Sequence, residues 1–569
     1  MNRPSRKLLG HFSKFHGLKN NHGIHRVLIK LRSLFLASLL AVGVSGMQAF
    51  ADQDDCHTIV IPPGVGIGPG ADVTSFNPLF ITSLYNQEAA WLLFEQLIWI
   101  NRYHEIDWNR SIAQSITSPD NGKTYDIAMR PWKWSDGVPV TSADVLYTFN
   151  LIKAYGTNYT GYGAGGMPML ISSMTAPDAQ HIVIVLNHAV NPQWFILNGI
   201  SQLMPLPEHI WSHYTTDEIW DEQSDPEFFS VIDGPLKIKS LTIGQDAQFV
   251  PNPLYGGGKM HFERFIMKFE NSEGQELQEV ESGDLDMSNI PFDLYDKAAG
   301  LPGLNVVTLP PSYSWHELIP NIANKATPYF ADLRVRQAIA DAINQKEVIG
   351  IAMHGHGVET HNPVPPFPPS FLSPSARAGQ FPVGYDPAKA KALLAEAGFK
   401  AGPDGILQRN GMKLSFTLEI PAGQPLRIEI AETIQQDLQA VGIDMKVRQV
   451  EFNQLLSAMV GQPQDWEAIL IAEDLSAFPS GEDLFGSAGY LNNNGYSDKI
   501  MDQLIDKSTN QPGLDGLFAY EDYAAAQQPV IFLPNEQYSV LVRKGLHGIQ
   551  DFMNPLGMWA PEKLFCTAR

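Results

Sequence analysis

The chain has two cysteines, Cys56 and Cys566, one close to each end of its 569 residues. If they join, the polypeptide must leave one region, build everything else, and come back to it. Joining depends on compartment, because disulfides persist where the surroundings are oxidising. The first fifty-one residues bear on this. They hold eight Lys or Arg and no Asp or Glu, and the apolar run Leu34–Val44 follows the basic stretch. Ala49-Phe50-Ala51 then gives a small-x-small cleavage pattern. Basic, apolar and cleavable is the order of a secretory signal. The run falls short of the roughly 20 apolar residues that span a bilayer. Cys56 follows Gln53-Asp54-Asp55 rather than a lipobox, so no lipid anchor is expected. Residues 1–51 therefore read as a signal peptide. In an exported protein an even cysteine count invites a bridge between Cys56 and Cys566, with two buried thiols as the alternative. Two cysteines alone do not make a four-ligand structural zinc site.

The formal net charge is −22, and losing a basic leader makes the remainder more acidic still. Such a surface disfavours nucleic acid and anionic lipid as partners. Hydrophobic residues at 44% and eleven Trp supply ample core, and the length argues for more than one domain. Past the leader, the longest apolar stretch, Trp91–Ile100, is short and interrupted by Glu95, so no stable membrane insertion is expected. Strand-like and helix-like segments alternate. His57–Ile61 and Tyr125–Arg130 read as strands and Ala89–Leu97 as a helix. Asp332 can cap a helix carrying Val335, Ala338, Ile339 and Ala342 at helical spacing. Asp386-Pro387 opens another, with Gly398 to close it. Arg427–Val441 is a third, followed by the strand Met445–Val450. The fold class is α/β.

The best-defined local element is Trp134–Val145. Asp136-Gly137 is a turn pair, Pro139 stiffens the approach, and Thr141 with Asp144 forms a capping box ahead of Val145, Phe149 and Ile152. As a twelve-residue string it resembles the signature of the bacterial oligopeptide and dipeptide type of extracellular solute-binding protein, family 5. Further segments resemble that family in the same order: Phe76-Asn77-Pro78-Leu79, Asp120–Tyr125, Leu206–Ile210, Asp233–Leu236, Asn252–Tyr255 and Glu281–Asp286. Asp332–Ala338 and Tyr385–Leu394 extend the likeness into the second half.

The resemblance implies a two-lobed clamshell of mixed sheets flanked by helices. Lobe one would comprise residues 52–95, 232–320 and 536–569, with an extra subdomain at 96–231. Lobe two would be 321–535. Both termini then fall in lobe one, in agreement with a Cys56–Cys566 bridge. The implied role is that of a monomeric periplasmic subunit of an ABC importer. It would capture a small molecule or peptide and present it to membrane permease subunits, with no cofactor.

Short peptides pose a particular problem, since charged ends and backbone amides must be held without reading every side chain. Adding the peptide as an extra strand satisfies its amides. A carboxylate can take its ammonium and a guanidinium its carboxylate. In the family an amine-binding Asp closes a strand with a Trp-x-x-Asp pattern. Asp465–Asp474 resembles that strand, with Asp474 at the key position and Ile471 where the Trp stands. Leu470, Ile471 and Ala472 would offer main chain to the ligand. The alternative for Asp474 is a helix cap or surface acid. Arg427 is the candidate for a terminal carboxylate, with an exposed helix arginine as the alternative. Arg334 and Arg336 read as structural.

Other readings are weaker. His354, His356 and His361 share a Gly-rich loop and could bind metal, but solvated loop histidines are the simpler account. His316-Glu317 begins like a zincin helix and fails at Pro320. Gly64-x-Gly66-x-Gly68 lacks the spacing of a phosphate cradle. A receptor for a sugar, opine or nickel chelate is the nearest rival. An exported hydrolase is further off, since no Gly-x-Ser-x-Gly elbow follows the leader, and no enzymatic activity is expected.

Overall fold

The strand Cys56–Ile61 lies parallel to Phe262–Lys268, with Ile59 opposite Phe265. The last strand, Phe565–Cys566, pairs with Leu546–His547. A disulfide joins Cys56 to Cys566, their Cα atoms 5.3 Å apart, so the two ends meet. The computed structural model describes residues 56–66, 72–81, 83–270, 272–463, 465–554 and 556–567; the proposed signal peptide lies outside them.

The first lobe is built on a four-stranded sheet in the order Cys56–Ile61, Phe262–Lys268, Asp246–Pro251, Leu236–Thr242. Beside it, Ser539–Arg543 lies between Met287–Asn289 and Leu304–Thr308, antiparallel to both. A second, antiparallel sheet runs Ala113–Thr117, Thr124–Met129, His181–Leu186, Ile171–Asp178. Its period-two pattern is plain in Tyr125, Ile127 and Met129, all buried, against exposed Asp126. Gly137 takes φ +94° in the turn before the helix Ser142–Tyr155, and the Thr141 N–H donates to Asp144 Oδ2 at 2.7 Å.

One buried cation fastens this second sheet to the ends of the chain. Arg110 sits between Glu95 (3.5 Å) and Glu562 (3.0 Å), all three side chains at most 5% exposed. Its Nη2 also donates to the Trp559 carbonyl at 3.0 Å, and its guanidinium lies 3.3 Å from the Trp99 ring centre.

The second lobe carries a five-stranded sheet in the order Asp444–Val450, Ser415–Pro421, Ala468–Asp474, Ser314–Pro320, Ile531–Leu533. Ser415–Pro421 is parallel to both neighbours, while Ser314–Pro320 is antiparallel to both of its own. The helices Leu333–Ala342 and Pro425–Ala440 place Val335, Ala338, Ile339, Ile430, Ile434 and Leu438 in one core with Leu418 and Leu470 of the sheet. Asp332 and Asp386 cap their helices as expected, accepting from the N–H groups of Arg334 and Lys389. Arg336 is structural, donating to the carbonyls of Phe330 and Gln528.

Two helices start earlier than the sequence reading places them. The helix expected at Ala89–Leu97 runs from Leu84 to Leu93, because Ser83 caps it from Asn86 N and Phe94 turns extended. Leu97 then bonds across to the Leu203 carbonyl. The helix expected from Arg427 starts at Pro425, where a missing N–H costs nothing. Among the described residues no helix is long and apolar enough to cross a membrane.

Replacing Arg110 by Met leaves Glu95 and Glu562 buried without their cation. Chemical denaturation is expected to show a loss of about 3–5 kcal/mol; a loss below about 1 kcal/mol would mean the two acids find other compensation.

Candidate functional site

The pairing of Ser314–Pro320 with Ala468–Asp474 sets where every group of the site points. Asn321 N–H donates to Glu467 O at 2.9 Å, and Leu475 N–H to Tyr313 O at 3.0 Å. Bonded and non-bonded pairs alternate along an antiparallel ladder. With Ser314 opposite Asp474, the bonded residues are therefore Ile469, Ile471 and Glu473. Leu470, Ala472 and Asp474 turn their main chain to the opposite side. On that side the partner Ser415–Pro421 stays in register only as far as Glu419 with Ile469. Past that point the strand has no paired neighbour there among the described residues. Of the three residues expected to offer main chain, Ala472 faces this open edge. Leu470 borders the last bonded pair, and Ile471 bonds Glu317 instead.

Side chains alternate too. On one face, Ala468 and Leu470 sit in the second-lobe core and Asp474 follows in line. The neighbouring strand puts His316 on the same face. His316 is 1% exposed, and its Nε2 lies 2.7 Å from Glu536 Oε2. Burial alone would raise the Glu536 carboxyl, but His316 and Arg427 bring it down to about 2. Arg427 is half-buried, not an exposed helix arginine. Burial lowers its guanidinium against the pull of Glu536, Tyr538 and Asp474, and its Nε has no hydrogen-bond partner among the described residues. Asp474 caps no helix. It keeps contact with water yet is crowded by protein, as a residue lining a cleft is; crowding and Glu536 raise its carboxyl while Arg427 and His316 lower it. The structure thus brings Asp474 and Arg427 into one electrostatic group.

Among the described residues, the acids of the other face have no cation acting on them. Ile469 and Ile471 pack with Trp315 and Phe532, and Glu473 follows. Glu317, 3% exposed, accepts from Trp315 Nε1 at 3.0 Å, and burial lifts it to about 7. Glu473 is raised well above the carboxylate range by burial and then by Glu317, Asp474 and Asp483. Asp483 is pushed to about 7 by burial and Glu482. Glu473, Asp474, Phe478, Glu482, Asp483 and Tyr490 line a space of about 140 Å³. A second space of about 400 Å³, with Trp91, Tyr159 and Met204 in its wall, shares Ala164, Asn198, Leu475 and Ser476 with the first. Together they form a cleft with an acidic wall, which the end of the strand reaches at Glu473 and Asp474. It can attract a cation and satisfy an extended backbone.

The histidine loop does not converge. His356 lies 3.9 Å from the Tyr295 ring, while His361 packs on Phe381 and faces Glu359 at 3.3 Å. Among the described residues no three His, Cys, Asp or Glu are placed to hold a metal. Sequence reading missed Glu473, Asp483 and Glu536, and took His316-Glu317 only as a failed zincin. The available signal was charge inside an apolar strand, between Trp315 and Leu318.

Glu317 is predicted to make stability fall with rising pH. Its pKa goes from 4.5 unfolded to about 7 folded, so the fold binds its proton more tightly. That contribution is complete below pH 4.5 and is lost as pH passes 7. Urea unfolding at pH 5 and 8 should show a decline of about 1–3 kcal/mol. Glu317→Gln should reduce it, Asp483 and Glu521 supplying the remainder. Equal slopes for both proteins would contradict the assignment.

Residues 108–495 match the family described as bacterial extracellular solute-binding proteins, family 5, middle region. The oligopeptide-binding protein AppA of Bacillus subtilis is 27% identical over 432 residues, 74% of this chain and 75% of that one. The structure of that AppA in complex with a nonapeptide aligns with a TM-score of 0.71 at 23% identity, covering 91% of this chain and 100% of that one. NikZ of Campylobacter jejuni, solved with Ni(L-His), aligns with a TM-score of 0.73 at 22% identity, covering 90% and 99%. The last two show a shared two-lobed fold. With the family match spanning well over half its length, the chain belongs to the bacterial extracellular solute-binding proteins of family 5.

Proposed function

We propose that this protein works in the periplasm as the substrate-binding subunit of an ATP-driven importer, and that its cargo is short peptides. The observation that carries the reading is the open edge at Ala472 and Asp474 beside Glu473, on which acids and no cation act among the described residues. A peptide laid along that edge would find partners for its amides, and its ammonium would meet Asp474 with Glu473 behind it. Arg427 would offset part of the burial and Glu536 repulsion that raise the Asp474 carboxyl, and we take it as the guanidinium for a peptide carboxylate. The relationship to an oligopeptide-binding protein at 27% identity supports the same cargo class.

Delivery follows from closure. A ligand that touches both lobes shifts an open–closed equilibrium by its differential affinity, and permease subunits can read the closed face. We take residues 52–95, 232–320 and 536–569 as the first lobe, 96–231 as its subdomain, and 321–535 as the second lobe. The strand Ser314–Pro320 is then one crossing, since it pairs into the second-lobe sheet, and the chain returns where Asn535 begins. We take the working form as a monomer without a resident cofactor.

A thermal-shift screen of di-, tri- and longer peptides beside sugars and nickel salts tests the cargo. Peptides alone should raise the melting temperature; a shift from a sugar or nickel and none from any peptide would overturn the reading. For a peptide that binds, Asp474→Asn should weaken affinity more than about tenfold, since a charge-assisted bond is worth ~1.5–3 kcal/mol. An N-acetylated version of the peptide should lose that sensitivity. Equal calorimetric affinity of both proteins for the free-amine peptide would remove Asp474 from the site.

A further inference from the structure

The loop that walls the cleft after Asp474 is gripped by the subdomain at three successive points. His104 Nδ1 lies 3.0 Å from the Ala477 carbonyl, which can only accept, so the imidazole donates. The Asn198 side chain takes both main-chain groups of Phe478: Nδ2 donates to the carbonyl at 2.9 Å, and Oδ1 accepts from the N–H at 2.9 Å. Trp194 Nε1 donates to Glu482 Oε1 at 2.9 Å. Next to these, Asn191 Nδ2 donates to the carbonyls of Ser508 and Gly513, and its N–H to Thr509 O at 2.7 Å.

Both sides of the grip are braced. Asn198 is 6% exposed and sits in a π-helical turn, Phe195–Gly199, a wider winding than the α-helix and one often tied to function. Gly165, at φ +57°, backs it so closely that a Cβ there would lie 2.3 Å from the Asn198 carbonyl. On the division taken above, the gripped residues fall within the second lobe, although Phe478 shares a core with Trp194 and Phe195. The helix Asp515–Gln527, which follows them, is held by Arg336, whose Nη2 donates to Gln527 O at 3.0 Å, and by Glu521, which accepts from Asn362 and Ser373.

We propose that Asn198, flanked by Trp194 and His104, is a catch that holds the two lobes closed through protein contacts alone. A side-chain amide that pairs with both groups of one residue copies a strand pair, and it does so at one point, so it can form and release without unravelling a sheet. The same loop presents Phe478 and Glu482 to the cleft, so the catch and the cargo space share a wall. Closure would then carry a constant contribution that does not depend on cargo sequence. The inference rests on two lobes opening and closing, not on the cargo being peptide.

The test is small-angle scattering of the cargo-free mature chain and of Asn198→Ala. The variant should have the larger radius of gyration, reflecting a shift toward the open form of about tenfold for two lost hydrogen bonds. Superimposable profiles would overturn the catch. Trp194→Phe, which removes only the indole N–H, should move scattering the same way by less, and it decides the matter if Asn198→Ala fails to fold; no change then overturns the proposal. Trialanine and trilysine give the second reading. Asn198→Ala should weaken both by one common factor, whereas a changed ratio between them would make Asn198 a cargo contact and contradict the catch. If neither tripeptide binds the unaltered protein, the cargo-free scattering still decides the catch, and the cargo reading is left to the wider peptide screen.

Discussion

The site depends on one strand pair. Ser314–Pro320 enters the second-lobe sheet from the first lobe and pairs along its whole length with Ala468–Asp474. That register puts His316 and Asp474 on one face and Glu317 and Glu473 on the other. A slip of one residue would exchange the faces, sending Leu318 and Leu470 out of the core they share with Val335 and Ile434. The apolar residues thus fix the register, and the register fixes the charges. The same pairing outlasts the parallel one on the other side of the strand, which is why an edge is left open at Ala472 and Asp474.

The two faces treat their acids differently. Glu536 and Asp474 share His316 and Arg427, which outweigh burial at Glu536 and only partly offset it at Asp474, whose carboxyl stays raised. Burial raises Glu317, Glu473 and Asp483, and neighbouring acids add to it at Glu473 and Asp483, so their protonated forms are favoured. Unpaired buried acids destabilise a fold, and they are tolerated where a function uses them. Here they stand beside an open strand edge in the wall of a cleft, where an entering cation would relieve the repulsion.

What was legible in the sequence is what short-range chemistry determines. The capping box at Thr141 and Asp144, the caps at Asp332 and Asp386, and the turn at Gly137 involve residues three or four apart, and each formed as read. The Cys56–Cys566 bridge was legible because composition left few alternatives. Hidden were the partnerships made by long-range pairing. Nothing local says that Glu317 will meet Glu473, or that His316 will reach Glu536. Arg427 looked like a surface residue because its helix reads as amphipathic from sequence, while the sheet's position decides which flank is covered. Ala89–Leu97 was misplaced because its apolar residues continue past Leu93 into a segment that pairs with Leu203.

The account reduces to a guest chain completing the sheet where Ser415–Pro421 falls away. Amide hydrogen exchange across residues 470–476, with and without a saturating free-amine tripeptide, addresses this directly. The Ala472 and Asp474 amides should exchange quickly in the cargo-free protein and slow markedly when the peptide is present, while those of Ile469 and Ile471 stay slow throughout. Exchange at Ala472 and Asp474 that is unchanged by a peptide known to be bound would contradict it.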